Sequence, residues 1–171
     1  YSLAPCDIAY VWHADKFSSV VQDSIEKSGF KIRSQIIWNK QQMVIGRGNY
    51  QRKHEPCWYA VKEGKNANWI GDRKQTTVWD ITSILQASKQ NNADKAVVHG
   101  TQKPIECMGR PMRNHSGDVY EPFCGSGTTM VAAHQLDRTC YAIEISPEYC
   151  QVIVDRMKSL DPGIEVTIES R

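Results

Sequence analysis

The sequence predicts an α/β fold with a mostly parallel sheet. Residues 118–129 form the pattern of a short strand, a glycine loop and a helix, which is typical of a nucleotide-type cofactor site. Residues 6–39 form a strand, a helix and a second strand, the unit from which parallel sheets are built. The glycine loop lies near the C-terminus, so most strands must come from earlier residues. The usual order of a cofactor-binding domain is therefore rotated.

Length and composition fit one soluble domain. With 171 residues, 40% of them hydrophobic and 23% charged, the chain can bury a real core. No stretch approaches the roughly 18 apolar residues that cross a bilayer, and no signal peptide opens the sequence. We predict a single domain over residues 1–171 and no membrane partner. The chain begins at Tyr1 rather than at methionine, which favours a piece cut from something longer.

Six cysteines occur at irregular spacing without any C-x-x-C pair, which argues against a zinc ribbon or a disulfide scaffold. We expect reduced thiols, no metal site and a cytoplasmic location. The positive charge is concentrated in residues 31–74, which hold ten Lys or Arg against three acids, although the whole chain carries only +2. This segment suggests an anionic polymer as partner, although exposed lysines more often serve only solvation.

The first half of the chain predicts three strands and a helix. A buried strand over residues 6–12 leads to a helix that Asp15 can cap and Gly29 can end. Further strands are predicted over residues 30–39 and 57–61. The apolar face of the helix is formed by Phe17, Val20, Val21 and Ile25.

The second half begins with weak periodicity over residues 63–103, which favours functional surface loops over core. Helices are predicted over residues 104–113, 128–135 and 147–160, the last capped by Ser146 with proline at its first position. Strands are predicted over residues 140–143 and, at an edge, 164–168. The last helix has an apolar stripe, expected to be core, of Tyr149, Val152, Ile153, Met157 and Leu160.

The glycine loop and a distant acid together predict a cofactor site. Gly125 and Gly127 flank Ser126, so the backbone can approach a ligand beside the free N–H groups of a helix N-terminus. Glu144 ends the next strand, at the spacing where an acid binds ribose hydroxyls. A G-x-G alone more often marks an ordinary turn. No P-loop lysine follows and Met130 replaces a third glycine, so an adenosine cofactor without pyrophosphate fits best.

Three segments resemble known motifs. Glu-Pro-Phe-Cys-Gly-Ser-Gly-Thr-Thr at 121–129 is similar to motif I of the β-group amino-methyltransferases of DNA, and Ala-Ile-Glu-Ile-Ser-Pro-Glu-Tyr at 142–149 to their motif II. His-Gly-Thr-Gln-Lys-Pro at 99–104 is similar to their motif X, with Gly100 in place of proline. The order of the three is also that of the family. Other segments that resemble it are residues 9–15, 36–40, 46–50, 54–55 and 78–80.

The resemblance implies a permuted Rossmann-like, three-layer αβα methyltransferase fold that is incomplete at its N-terminus. It also implies S-adenosylmethionine as cofactor, with Glu144 on the ribose and residues 101–104 closing over the methionine end. Glu121 keeps the carboxylate of the family's usual aspartate and adds a methylene. The cofactor-binding part is then 99–160, with the implied contacts Thr101, Gln102, Lys103, Pro104, Glu121, Phe123, Gly125, Ser126, Gly127, Thr128, Thr129 and Glu144.

The resemblance further implies double-stranded DNA as substrate, methylated on N6 of adenine or N4 of cytosine as in restriction-modification, after the base leaves the stack. Residues 41–98 would form the target-recognition insert, where cations alternate with aromatic residues. DNA contacts are predicted at Arg47, Tyr50, Arg52 and Lys53. Of five aromatic side chains that alternate with these cations, at least three should instead pack inside: Trp38, Tyr50, Trp58, Trp69 and Trp79.

The family's catalytic signature, Asp/Ser/Asn-Pro-Pro-Tyr, occurs nowhere in the chain, so no catalytic residue is assigned. In the family order it would precede Tyr1, on a strand in mid-sheet. We therefore expect unpaired strand edges and little or no transferase activity from this polypeptide alone. Alternatives are a non-catalytic DNA-binding or regulatory remnant and, less favoured, a methyltransferase of RNA or small molecules. A homodimer is one open oligomeric state.

Overall fold

The structure, a computed structural model, describes residues 6–83 and 102–167. The chain divides into a first unit, residues 1–116, and a second unit, residues 117–171, which are described separately. Both units combine helices with β-strands, which confirms the α/β class. None of the described helices is long and apolar enough to cross a membrane.

A four-stranded sheet forms the centre of the first unit. Its strands are β1 (Ile8–Trp12), β2 (Phe30–Val44), β3 (Arg52–Lys62) and β4 (Val78–Asp80), in the spatial order β1-β3-β2-β4. Strand β3 is antiparallel to both β1 and β2, and β4 is parallel to β2. Strands β1 and β2 consequently run in the same direction, as predicted for a strand-helix-strand unit.

This sheet is mixed rather than mostly parallel, and the reason is the hairpin between β2 and β3. The connection over residues 45–51 is shorter than the crossover of about a dozen residues that a parallel pair needs. Both strands also extend beyond their predicted bounds toward the loop, because they pair with each other as far as Val44 and Arg52.

The first helix, α1 (Ser18–Lys27), follows a 3-10 turn at Asp15–Phe17. Gly29 ends it with a left-handed φ of 81°, as predicted. The prediction that Asp15 caps it is wrong, because Phe17 occupies the N-cap position and no side chain caps the helix. The predicted apolar face is only partly packed: Ile25 is buried, whereas Phe17 and Val20 are exposed.

The two faces of the sheet pack separate cores. Strand alternation directs Cys57 and Tyr59 toward one cluster, and Trp58 and Ala60 toward the other. The second helix, α2 (Ile105–Asn114), begins within one residue of its predicted start and contributes Cys107 to the first cluster. The buried residues of that cluster are Ile36, Trp38, Cys57, Trp79, Ile81 and Cys107.

The second unit contains two parallel strands, β5 (Val119–Glu121) and β6 (Cys140–Ala142). Helix α3 (Thr128–Gln135) connects them and has its predicted bounds. Helix α4 (Pro147–Leu160) also has its predicted bounds, and the Ser146 hydroxyl caps it by accepting from the Tyr149 amide at 3.5 Å. The sequence signals at these helix ends were therefore sufficient to place them.

Two expectations for the C-terminal segment need correction. In the apolar stripe of α4, Ile153 is buried, whereas Val152 and Leu160 are exposed, so the stripe is not uniformly core. Residues 164–167 form no strand, because they pair with no other strand, and Ile168 lies outside the described residues. Alternation of apolar residues over so short a stretch is a weak strand signal.

Strands β1 and β5 both have an open edge. Among the described residues, β1 pairs with β3 alone and β5 with β6 alone. An open strand edge exposes a row of backbone donors and acceptors that can pair with a further strand.

Candidate functional site

The glycine loop connects β5 to α3 in the second unit, as predicted. Gly125 and Gly127 have φ values of 55° and 80°, in the left-handed region that favours glycine. A Cβ on Gly127 would approach Cγ1 of Ile153 to 3.1 Å, whereas a Cβ on Gly125 would meet nothing within 4 Å. The loop is therefore packed against α4 at Gly127 and open at Gly125.

Glu144 holds the open side of the loop. Its Oε2 accepts a hydrogen bond from the Gly125 amide at 2.7 Å, and its Oε1 accepts one from the Ser146 amide at 2.9 Å. The amides of Ser146 and Gly125 stabilise the carboxylate and lower the pKa of Glu144. The structure therefore brings together the loop and the acid that the sequence paired by spacing alone.

Glu121 joins the two ends of the loop. Its Oε1 accepts from the Phe123 amide at 3.0 Å and its Oε2 from the Thr129 hydroxyl at 2.8 Å. Glu121 is thus a structural tie within the loop. The side chain of Phe123 remains 78% exposed.

Helix α3 begins directly at the loop, at Thr128. The amides of its first turn have no acceptor within the helix, and they point toward the loop side with the positive end of the helix dipole. Thr128 and Thr129 are both buried. This helix start can receive a polar or negatively charged ligand group.

Arg156 was not identified from the sequence. It lies on α4, and its Nη1 donates to the Ser126 carbonyl oxygen at 2.9 Å and to the Thr128 hydroxyl at 3.1 Å. The spacing of three residues from Ile153 places both on one face of the helix. That spacing is the signal that could have found it, but only with the loop's position known.

In the first unit, Lys103 belongs to an ion-pair cluster around Glu55. Glu55 pairs with Lys40 through Oε1 at 2.5 Å and with Lys103 through Oε2 at 3.4 Å. The Lys103 ammonium also lies 5.5 Å from the centre of the Trp12 ring. Burial alone would raise the pKa of Glu55, but Lys40 and Lys103 together lower it.

The other residues of the predicted closing segment are only partly described. Gln102 and Pro104 lie with Lys103 in the first unit, directly before α2, and Pro104 is buried. Thr101 lies outside the described residues. The cofactor contacts of this segment stay a prediction.

Glu55→Gln is expected to lower the free energy of unfolding by about 1 kcal/mol at pH 7, because two lysines lose their charged partner. The folded-state pKa of Glu55 is lowered, so its contribution is full above the unfolded pKa of about 4.3 and is lost as pH falls through the folded value. Urea unfolding of both proteins from pH 7 to pH 3 measures this, and the difference should shrink with acid.

The matched control is Glu63→Gln, which removes a carboxylate paired with Lys31 on the surface. Exposed pairs contribute little, so this change should leave unfolding unaltered. An equal effect of both substitutions would show that the Glu55 cluster has no special weight.

The four predicted DNA contacts lie together at the end of the β2–β3 hairpin. Tyr50 is 96% exposed, and Arg47 and Lys53 are also exposed. Arg52 forms an ion pair with Asp15 at 2.9 Å. Gln51 crosses the loop, accepting from the Gly46 amide at 2.6 Å and donating to the Gly48 carbonyl at 2.8 Å. The hairpin end is consequently an ordered, basic and exposed element.

The five aromatic residues named in the sequence analysis divide between core and surface. Trp38 and Trp79 are buried, and Trp58 is half-buried against the second core cluster. Trp69 and Tyr50 are exposed. Of the five, three therefore pack against a core at least in part, and Tyr50 extends furthest into solvent.

Comparison with known proteins determines the family. Residues 7–155 match the family model described as DNA methylase, N6_N4_Mtase. The chain belongs to this DNA methylase family. It is also similar to the Type II methyltransferases M.Cfr9I of Citrobacter freundii (30% identity, 82% of this chain and 49% of that protein) and M.SmaI of Serratia marcescens (29%, 78% and 49%). The chain spans about half the length of these curated relatives.

Two solved structures of similar proteins share the fold of this chain. The complex of M1.HpyAVI with SAM has a TM-score of 0.72 and 25% identity, covering 90% of this chain and 76% of that one. PvuII DNA methyltransferase, described as cytosine-N4-specific, has a TM-score of 0.66 and 16% identity, covering 92% and 64%. The second likeness shows the fold alone.

Proposed function

We propose that this chain is the cofactor-binding and DNA-contacting part of a DNA methyltransferase. The enzyme would transfer a methyl group from S-adenosylmethionine to the exocyclic amine of adenine or cytosine. The observation that carries the proposal is the contact of Glu144 with Gly125 at the carboxyl ends of two parallel strands. Ligands of α/β sheets bind at this end of the strands. Family membership supports the same assignment.

The residues of the second unit fit an adenosine cofactor. Space is open at Gly125, the carboxylate of Glu144 is charged at neutral pH, and two apolar side chains, Phe123 and Ile145, are 78% and 96% exposed. Glu144 would accept hydrogen bonds from ribose hydroxyls, and the two apolar side chains would cover the base. The cofactor supplies an activated methyl group. Gln102, Lys103 and Pro104 are proposed to contact its methionine end.

On the DNA side, we propose that the hairpin end binds the duplex. Arg47, Arg52 and Lys53 would contact phosphates, and the exposed ring of Tyr50 would contact bases or sugars. The chain supplies no Pro-Pro-Tyr motif, so transfer would need groups beyond these residues. That absence also favours the alternative of a non-catalytic DNA-binding remnant.

Calorimetric titration of the 171-residue chain with S-adenosylmethionine tests the cofactor assignment. Saturable binding that is lost in Glu144→Ala but kept in Glu148→Ala, an exposed acid on α4, is the expected result. The chain alone should transfer no labelled methyl group to duplex DNA. Absence of cofactor binding would contradict the proposal, and full turnover by this polypeptide would contradict the expected inactivity.

Removing two cations from the hairpin end should weaken DNA binding and its salt dependence. Each phosphate contact releases counterions and contributes about 0.9 to the slope of log K against log salt. Arg47→Ala with Lys53→Ala should therefore reduce the slope by about 2. Fluorescence anisotropy with a labelled duplex, from low to moderate salt, measures this.

Lys65→Ala is the matched control, since this lysine is exposed in the basic segment but lies outside the hairpin. It should leave the slope unchanged. Cofactor binding without any salt-sensitive DNA binding by the wild-type protein would instead favour an RNA or small-molecule methyltransferase.

A further inference from the structure

Arg156 connects α4 to the part of the glycine loop that Glu144 does not reach. Its guanidinium donates to the carbonyl of Ser126 and to the hydroxyl of Thr128, at 2.9 and 3.1 Å. Both acceptors are neutral oxygens, and burial lowers the pKa of Arg156. Long charged side chains more often keep their charged end in water.

The loop needs such a contact because glycine alone does not fix its shape. Gly125 and Gly127 can each adopt many backbone conformations when unconstrained. Glu121 ties the ends of the loop, and Glu144 holds the Gly125 amide. The bond from Arg156 to the Ser126 carbonyl orients the peptide group that leads into Gly127.

The packing around Gly127 supports the same role. Ile153, one helical turn before Arg156, lies where a Cβ of Gly127 would make a 3.1 Å contact. Two residues of α4 therefore define the position of the loop, one by contact and one by hydrogen bonds. Helix α4 is itself fixed at its start by the Ser146 cap.

We propose that Arg156 is a positioning residue that holds the glycine loop in its binding conformation before any cofactor arrives. A loop ordered in advance loses less conformational freedom on binding, and the affinity is correspondingly higher. That the ligand is S-adenosylmethionine rests on the proposed function. The ordering of the loop by Arg156 rests on the structure of the second unit alone.

Hydrogen exchange of the cofactor-free chain tests the ordering directly. In Arg156→Met, the amides of residues 123–130 are expected to exchange on the order of tenfold faster than in the wild-type chain. Arg156→Lys keeps the charge and a donor, so it should recover part of the protection. Lys158→Met, which removes an exposed cation from the same helix, should change nothing.

Affinity for S-adenosylmethionine is measured on the same four proteins. A fall of about tenfold in Arg156→Met, with partial recovery in Arg156→Lys, would support the proposal. Unchanged exchange over residues 123–130 would overturn it, and so would a measurable affinity that is equal in wild type and Arg156→Met.

Two further outcomes distinguish the positioning role from a general structural role of Arg156 and from the proposed function. Exchange that rises equally in β5, β6 and the loop, in both Arg156 variants, would indicate a general structural role and overturn the positioning role. The second outcome combines faster loop exchange in Arg156→Met with no binding of S-adenosylmethionine by the wild-type chain. It would support the ordering of the loop by Arg156 and contradict the proposed function.

Discussion

Trp38→Ala is expected to lower the free energy of unfolding of the first unit by about 4 kcal/mol, the largest effect of any substitution considered. Trp38 is 3% exposed at the centre of the first core cluster. Its ring meets that of Trp12 edge-on, with centroids 6.4 Å apart. Its indole N–H donates to the Ile81 carbonyl at 2.7 Å, and truncation leaves that buried acceptor without this donor.

Two companion variants divide this effect into its causes. Trp38→Phe keeps an aromatic ring and loses the hydrogen bond, so its free energy of unfolding should fall by about 1–2 kcal/mol. Tyr50→Ala removes an aromatic side chain that is 96% exposed, and should stay within about 0.5 kcal/mol of wild type. Urea unfolding followed by circular dichroism measures all three. Equal losses for Trp38→Ala and Tyr50→Ala would contradict the assigned core.

Helix ends were predictable because their signals are local. Ser146 followed by Pro147 sets the start of α4 through one hydroxyl and one fixed backbone angle, and Gly29 ends α1 through a left-handed φ. No distant residue is needed for either. The corresponding prediction for Asp15 failed because a 3-10 turn at Asp15–Phe17 precedes α1, so that Phe17 rather than Asp15 occupies the N-cap position.

Strand order and burial depend on distant residues and could not be predicted. Nothing in the sequence of β3 shows that it lies between β1 and β2, because pairing partners are chosen by the whole sheet. The stripe on α4 has helical periodicity whether or not another element covers it. Periodicity gives the direction of an apolar face, and burial depends on what packs there.

The candidate site was predictable where one motif held its parts. The glycine loop and Glu144 follow from the geometry of a single strand-loop-helix-strand unit, in which spacing determines proximity. Arg156 and the pairing of Glu55 with Lys103 join separate elements. Such contacts leave no spacing rule in one sequence, since each partner is an ordinary charged residue.

Gly127→Ala is expected to lower the free energy of unfolding of the second unit by about 2–3 kcal/mol. At a φ of 80°, backbone strain in an alanine costs about 1 kcal/mol. Its Cβ would also lie 3.1 Å from Cγ1 of Ile153, and forcing a methyl group into such a contact adds about 1–2 kcal/mol. Hydrogen exchange of β5, β6 and α4 measures the stability of this unit.

Gly125→Ala separates strain from crowding, because Gly125 shares the left-handed backbone but has no atom within 4 Å of a new Cβ. It should lose about 1 kcal/mol and leave the packing of α4 intact. The two variants should weaken cofactor binding for different reasons. Gly125→Ala would fill the open side beside Glu144, whereas Gly127→Ala would displace the loop from α4. Both variants should bind S-adenosylmethionine weakly, but only Gly127→Ala should expose the amides of α4. Equal destabilisation by the two would contradict the close approach of Ile153, and with it the view that α4 sets the position of the loop.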